Sequence, residues 1–86
     1  MKPFPLTVST PDGAVFSEDV VKLDVRGSEG ELAVMAGHAP FVTTLKEAPV
    51  ILWKDDATAI KAYSKGGILT VGEHRVILLS SAFSFE

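Results

Sequence analysis

Few side chains in this 86-residue sequence have much capacity for chemistry. The only imidazoles are His38 and His74, and neither has a second histidine or a carboxylate at a tight ligand spacing. A structural zinc site normally takes four ligands, so the sequence implies no metal. There is no cysteine, which removes thiolate catalysis, disulfides and cysteine-based metal sites. Ser28, Thr43 and Thr44 lie near His38 in the chain, but no local signature makes a nucleophile and base of them. Glu29 and Glu31 are two residues apart and would share one face of a strand. Paired carboxylates do acid–base work when burial drives their pKa values apart. Without a partner to cover them, they read as a solvated acidic rim. Lys65, Gly66 and Gly67 lack the order of a phosphate-binding loop. Gly27 and Gly30 precede no helix whose N-terminus could hold an anion. No cofactor is implied.

Composition narrows the classes further. The length fits one domain, residues 1–86, with one modest core. A hydrophobic fraction of 47% with 22% charged residues is globular rather than disordered. The net charge of −3 argues against a nucleic-acid partner, which would meet a basic face. No run of like charge exceeds Asp55–Asp56. No apolar run approaches the ~18–20 residues that cross a bilayer as a helix. The start, MKPFPLTV, does not read as a signal peptide. A cytosolic protein, or a soluble part of something larger, is expected.

The elements that must position these residues have period two. Phe4, Leu6 and Val8 alternate with Pro5, Thr7 and Ser9. Val21, Leu23 and Val25 alternate with Lys22, Asp24 and Arg26, so Asp19–Gly27 reads as one half-buried strand. Pro5 belongs at a strand start or sheet edge. The turn TPDGA separates these two strands. Pro49–Trp53 and Arg75–Ser80 are apolar on both faces, so each is buried on both sides or covered by a partner. Thr58–Tyr63 is too short for a stable helix. Gly66–Gly67 marks a sharp strand entry or a bulge, and Gly72–Glu73–His74 a turn. Eight to ten short strands and no long helix predict an all-β protein, an antiparallel sandwich or flattened barrel.

The turn chemistry concentrates in GSEGELAVMAGHAPFVTTL, Gly27–Leu45, which holds three of the seven glycines and one of the two histidines. Gly30 permits a tight turn between Ser28 and Glu31. Leu32 and Val34 face one side and Ala33 the other. Gly37 permits a sharp reversal or close approach of another backbone, and Pro40 biases Ala39 towards extended geometry. Such a loop presents a shape to something; no reaction is visible in it.

This stretch closely resembles the signature of the epsilon subunit of F-type rotary ATP synthases, in its N-terminal β-sandwich. The matching residues are Gly27, Gly30 and Leu32, then Gly37–His38–Ala39–Pro40, then Thr43 or Thr44. A second block, YSKGGILTV, matches at Gly66, Gly67, Leu69 and Val71, and Phe16 takes the family's aromatic position. The resemblance covers essentially the whole chain. It implies a ten-stranded flattened β-sandwich without an active site of its own. It implies a place in the central stalk, between the gamma subunit and the polar loops of the membrane c-ring, coupling proton or sodium flow to ATP synthesis. The c-ring contact maps to Glu29, Gly30 and Glu31, and the gamma contact to His38, Ala39 and Pro40. The implied location is peripheral, on the cytoplasmic face of a bacterial inner membrane or its organellar equivalent.

Family members usually continue into a C-terminal helical hairpin that brakes ATP hydrolysis. No helical pattern follows the last strand before Ser84–Phe85–Glu86, so hairpin inhibition and ATP binding are not carried over. The residues alone leave another reading open, an unrelated β-sandwich that binds a peptide or ligand. They also leave Trp53 open, as core or as gamma interface.

Overall fold

A computed structural model describes residues 2–86. The strands are β1 (Phe4–Thr10), β2 (Gly13–Val20), β3 (Lys22–Gly27), β4 (Gly30–Val34), β5 (Phe41–Leu45), β6 (Ala48–Trp53), β7 (Ala59–Ser64), β8 (Gly67–Val71), β9 (Val76–Ser80) and β10 (Phe83–Phe85). They form one sheet in the order β10-β7-β6-β3-β5-β8-β9-β1-β2, with β4 paired to β3 beside this path. The sheet wraps around a single cluster of apolar side chains, so the fold is the expected all-β flattened sandwich. Where its ends approach, Phe16 of β2 meets Phe85 of β10, with ring centroids 6.3 Å apart.

The alternation in sequence dictates the core. Leu6, Leu23, Leu52, Leu69 and Leu78 are almost wholly buried, together with Val8, Val20 and Val34. Each such side chain contributes about 1.5–3 kcal/mol relative to exposure. Pro5 sits one residue before β9 begins to pair with β1, so its missing N–H costs no ladder bond there. Gly67 opens β8, so of entry and bulge the Gly66–Gly67 pair is the strand entry.

Two features depart from the sequence reading. Asp19–Gly27 is not one strand: it breaks at Val21, whose N–H donates to the Trp53 carbonyl at 2.7 Å. The cause is visible in Val20 and Val21, which are consecutive and both buried. A continuous strand would put them on opposite faces. The second departure is a parallel pair, β1 with β9, in an otherwise antiparallel sheet. Side-chain alternation carries no information on strand direction.

Polar contacts pin the turns at one end of the sandwich. Ser64 and Ser80 are buried with their hydroxyls 2.9 Å apart. The Gly66 N–H donates to Ser64 Oγ at 3.1 Å, and Ser80 Oγ lies 3.0 Å from the Gly66 carbonyl and 2.7 Å from that of Ala82. This knot ties the β7–β8 turn to the β9–β10 turn.

Nearby, the Tyr63 hydroxyl donates to Glu47 Oε2 at 2.7 Å, and Lys65 Nζ lies 3.5 Å from the same oxygen. The Tyr63 hydrogen bond first, then the Lys65 charge, hold the Glu47 carboxyl below its usual value. The same hydrogen bond raises Tyr63 above its own. A depressed carboxyl pKa contributes stability above its unfolded value, lost as pH falls through the folded one. A raised phenol contributes stability below its unfolded value, lost as pH rises through the folded one. Tyr63→Phe is therefore expected to be less stable than the parent at pH 7. Urea unfolding should show that gap closing below about pH 4 and again above about pH 10.

Candidate interaction surfaces

The first surface is the β3–β4 turn. β3 ends at Gly27, Ser28 and Glu29 form the tip, and Gly27 pairs with Gly30. Gly30 reverses the chain with a φ of 128°, a conformation that costs glycine little and other residues more. The Ser28 N–H donates to the Thr44 carbonyl, and the Lys46 N–H to the Arg26 carbonyl, both at 3.0 Å. The turn is thereby held against the end of β5. Glu29 and Glu31 do not share a strand face: Glu29 is in the turn and Glu31 in β4, opposite Arg26. The Glu31 side chain is 82% exposed, with Oε1 3.6 Å from Arg26 Nη1. Both carboxylates face solvent, the rim arrangement rather than a buried acid–base pair.

The second surface is the Met35–Pro40 loop. Its His38 N–H donates to the Met35 carbonyl at 3.1 Å, closing a turn through Gly37. The His38 ring lies 4.9 Å from that of Phe41. Its Nδ1 is 2.9 Å from the Ala39 carbonyl, so this nitrogen carries the proton and donates. His38, Ala39 and Pro40 are all exposed. The five residues of β4, roughly 17 Å of extended chain, separate this loop from the acidic turn. The two predicted contact sets therefore occupy opposite ends of the sandwich. Ser28 and His38 are far apart, which removes the nucleophile–base pairing. Among the described residues no group of three or more His, Asp or Glu side chains gathers as a metal site.

A third surface joins these ends, and residue-by-residue motif reading missed it. Strand register places Thr44, Ile68, Leu79 and Ser9 in one cross-strand row of β5, β8, β9 and β1. Val42, Thr70, Ile77 and Thr7 form the next row. Neither row contains a charge. On this outer face Val42 is 67% exposed, Leu79 48% and Ile68 43%. The apolar run Arg75–Ser80 is thus not buried on both sides: Val76 and Leu78 enter the core, and Leu79 is left in solvent. The double-sided apolar character of that strand was the available signal. One end of the face abuts Ser28 through Thr44, and the other reaches Phe41 and His38.

Trp53 belongs to neither extreme. It is half-buried on the outer side of β6. Its Nε1 donates to Asp24 Oδ2 at 2.9 Å, and Lys22 Nζ lies 5.9 Å from the ring centroid. Its neighbours on β3 cover much of the indole, so it sits away from the uncharged face.

The sequence model of the ATP synthase delta/epsilon chain β-sandwich domain matches residues 3–85. The chain belongs to this family. It is 38% identical over 86 residues to the ATP synthase epsilon chain of Bacillus licheniformis, covering 100% of this chain and 66% of that protein. It is 42% identical over 82 residues to the epsilon chain of Anoxybacillus flavithermus, covering 95% of this chain and 60% of the relative. The chain thus spans under two thirds of the length of both epsilon chains. The fold matches a chain in the mitochondrial ATP synthase OSCP/F1/c-ring structure of Euglena gracilis, with a TM-score of 0.90 at 22% identity. That match covers 96% of this chain and 53% of the other. A chain of the Tetrahymena thermophila ATP synthase central stalk/c-ring structure matches with a TM-score of 0.79 at 11% identity, covering 95% and 66%. Membership in the delta/epsilon family excludes the reading as an unrelated sandwich.

Proposed function

We propose that this chain is a non-catalytic rotor component of an F-type ATP synthase. It bridges the gamma subunit and the c-ring and couples proton or sodium flow to ATP synthesis at the membrane's cytoplasmic face. Family membership supports the assignment, as do the F1, central-stalk and c-ring settings named for the matching structures. The observation that carries the bridging role is the uncharged face of Val42, Ile68 and Leu79, running from the acidic turn to the His38 loop. An exposed apolar patch rimmed by polar residues fits a protein partner. Gamma takes that face together with His38, Ala39 and Pro40. The c-ring loops take Glu29, Gly30 and Glu31, where two exposed carboxylates suit basic or polar loops.

The direct test is calorimetric titration of the chain into purified gamma subunit from the same source. Saturable one-to-one binding is expected. No heat, with a folded chain by circular dichroism, overturns the gamma assignment. At the other end, Glu31→Lys is expected to change the stability of the free chain by less than about 1 kcal/mol, because its pairing with Arg26 is exposed. In reconstituted vesicles the same variant should lower proton-driven ATP synthesis while ATP hydrolysis by detached F1 is unchanged. Parental coupling in the variant would remove Glu31 from the c-ring contact.

A further inference from the structure

The end of the sandwich that carries His38 also carries a cavity, of whose lining the stalk reading uses His38 alone. Three segments distant in sequence line it: the N-terminal segment through Lys2 and Phe4, the Met35–His38 turn, and the β8–β9 turn through Glu73, His74 and Arg75. The β8–β9 turn is closed by the Gly72 N–H donating to the Arg75 carbonyl at 2.8 Å. The volume is about 150 Å³. Both histidines of the protein line this one cavity, although 36 positions separate them (74 − 38). Among the described residues, Lys2 and Arg75 add two fixed positive charges, and Glu73 is the only acid in the lining. In a chain of net charge −3, this is a local reversal of sign.

We propose that this cavity binds a free, doubly charged oxyanion of the size of sulfate or phosphate. Arg75 offers a planar fork of donors suited to such an ion, and Lys2 a mobile point charge. The His38 Nδ1 proton is directed at the Ala39 carbonyl, which leaves Nε2 as the ring nitrogen without a hydrogen bond among the described residues. A protonated Nε2 donates to an anion and a neutral one does not. The His74 ring, which no hydrogen bond fixes among the described residues, can present an N–H to the cavity. The fixed charges of Lys2 and Arg75 outweigh the opposing Glu73. A bound dianion would cross-link the three segments and stiffen the His38 loop.

Sulfate is the probe, because its charge is constant between pH 6 and 8. Titration at fixed ionic strength, followed by backbone amide NMR, should give saturable shifts confined to residues 35–38 and 72–75 and to the N-terminal segment. Arg75→Ala and His74→Gln should each weaken binding fivefold or more. Lys61→Ala, at an exposed position of β7, should not change it. Shifts spread evenly over all lysines and arginines, or no saturation, overturn the proposal. So does equal weakening by Lys61→Ala. Glycerol 2-phosphate separates a free ion from a phosphate ester: tenfold weaker binding than sulfate is expected, and equal or tighter binding overturns the free-ion assignment. All three substitutions are at exposed positions, so an intact amide spectrum establishes that the fold is retained.

Discussion

Gly67→Ala is expected to lower the stability of the domain by about 3 kcal/mol or more, enough to unfold much of it at 37 °C. A Cβ at this position would fall 1.8 Å from the Leu79 carbonyl oxygen, 2.8 Å from its carbon and 2.9 Å from Ser80 Cα. All three are backbone atoms of the paired strand, and Gly67 is directly opposite Ser80 in the β8–β9 register. No side chain can swing away to make room. Nor can β9 retreat freely, because Ser80 is held by the Ser64 hydroxyl and the carbonyls of Gly66 and Ala82. The φ of Gly67, 153°, adds a conformational cost for any L side chain. Gly37→Ala provides the comparison. Its Cβ would meet nothing within 4 Å, so only the φ of 86° opposes it, at a cost of about 1–2 kcal/mol. Urea unfolding of both variants checks the argument. A Gly67→Ala protein within 1 kcal/mol of the parent would mean that β8 and β9 separate without strain.

The same glycine shows what could be read in the sequence. A Gly-Gly pair before an alternating ILTV run marks a strand entry. Its neighbour across the sheet is legible only once register is known, because that contact is made by a strand twelve residues on, Gly67 against Leu79 (79 − 67). The core was legible for a related reason. Burial follows alternation, and alternation is local, so Leu6, Val8, Leu23 and Val25 can be assigned inward from the primary sequence. Val20 and Val21 defeated that logic, because a break between strands lets consecutive residues both be buried. The candidate sites divide likewise. Glu29 and His38 stand out as residue types in a glycine-rich stretch, yet their placement at opposite ends depends on β4 being a full strand. The uncharged face has no motif. It exists because four strands align Ser9, Val42, Ile68 and Leu79 in neighbouring rows, and long-range pairing is what a one-dimensional pattern omits. The cavity between His38 and His74 is hidden in the same way.

That alignment makes Leu79 the residue whose change should most affect assembly. Leu79→Asp is expected to weaken binding of the chain to gamma about 100-fold, about 2.8 kcal/mol at 1.4 kcal/mol per tenfold. Leu79 lies between Ile68 and Ser9 in its row, with Leu78 and Ser80 directed into the core on either side. If gamma covers this row, an aspartate at its centre would be buried with no cation on the face to pair with it. An unpaired charge in a desolvated interface typically costs several kcal/mol, and hot spots cluster at such central positions. The free domain should tolerate the change better. Leu79 is 48% exposed, so solvent remains available to the carboxylate, and an exposed strand position shifts stability by about 1 kcal/mol or less. Leu79→Ala should be intermediate, because it removes contact area without adding charge. Lys61→Ala, on β7 and away from this face, should bind as the parent does. Calorimetry on the four proteins, each first checked for cooperative thermal unfolding, separates lost contact from lost fold. Undiminished affinity in a folded Leu79→Asp protein would move the gamma contact off the β5–β8–β9 face and return it to the His38 loop alone.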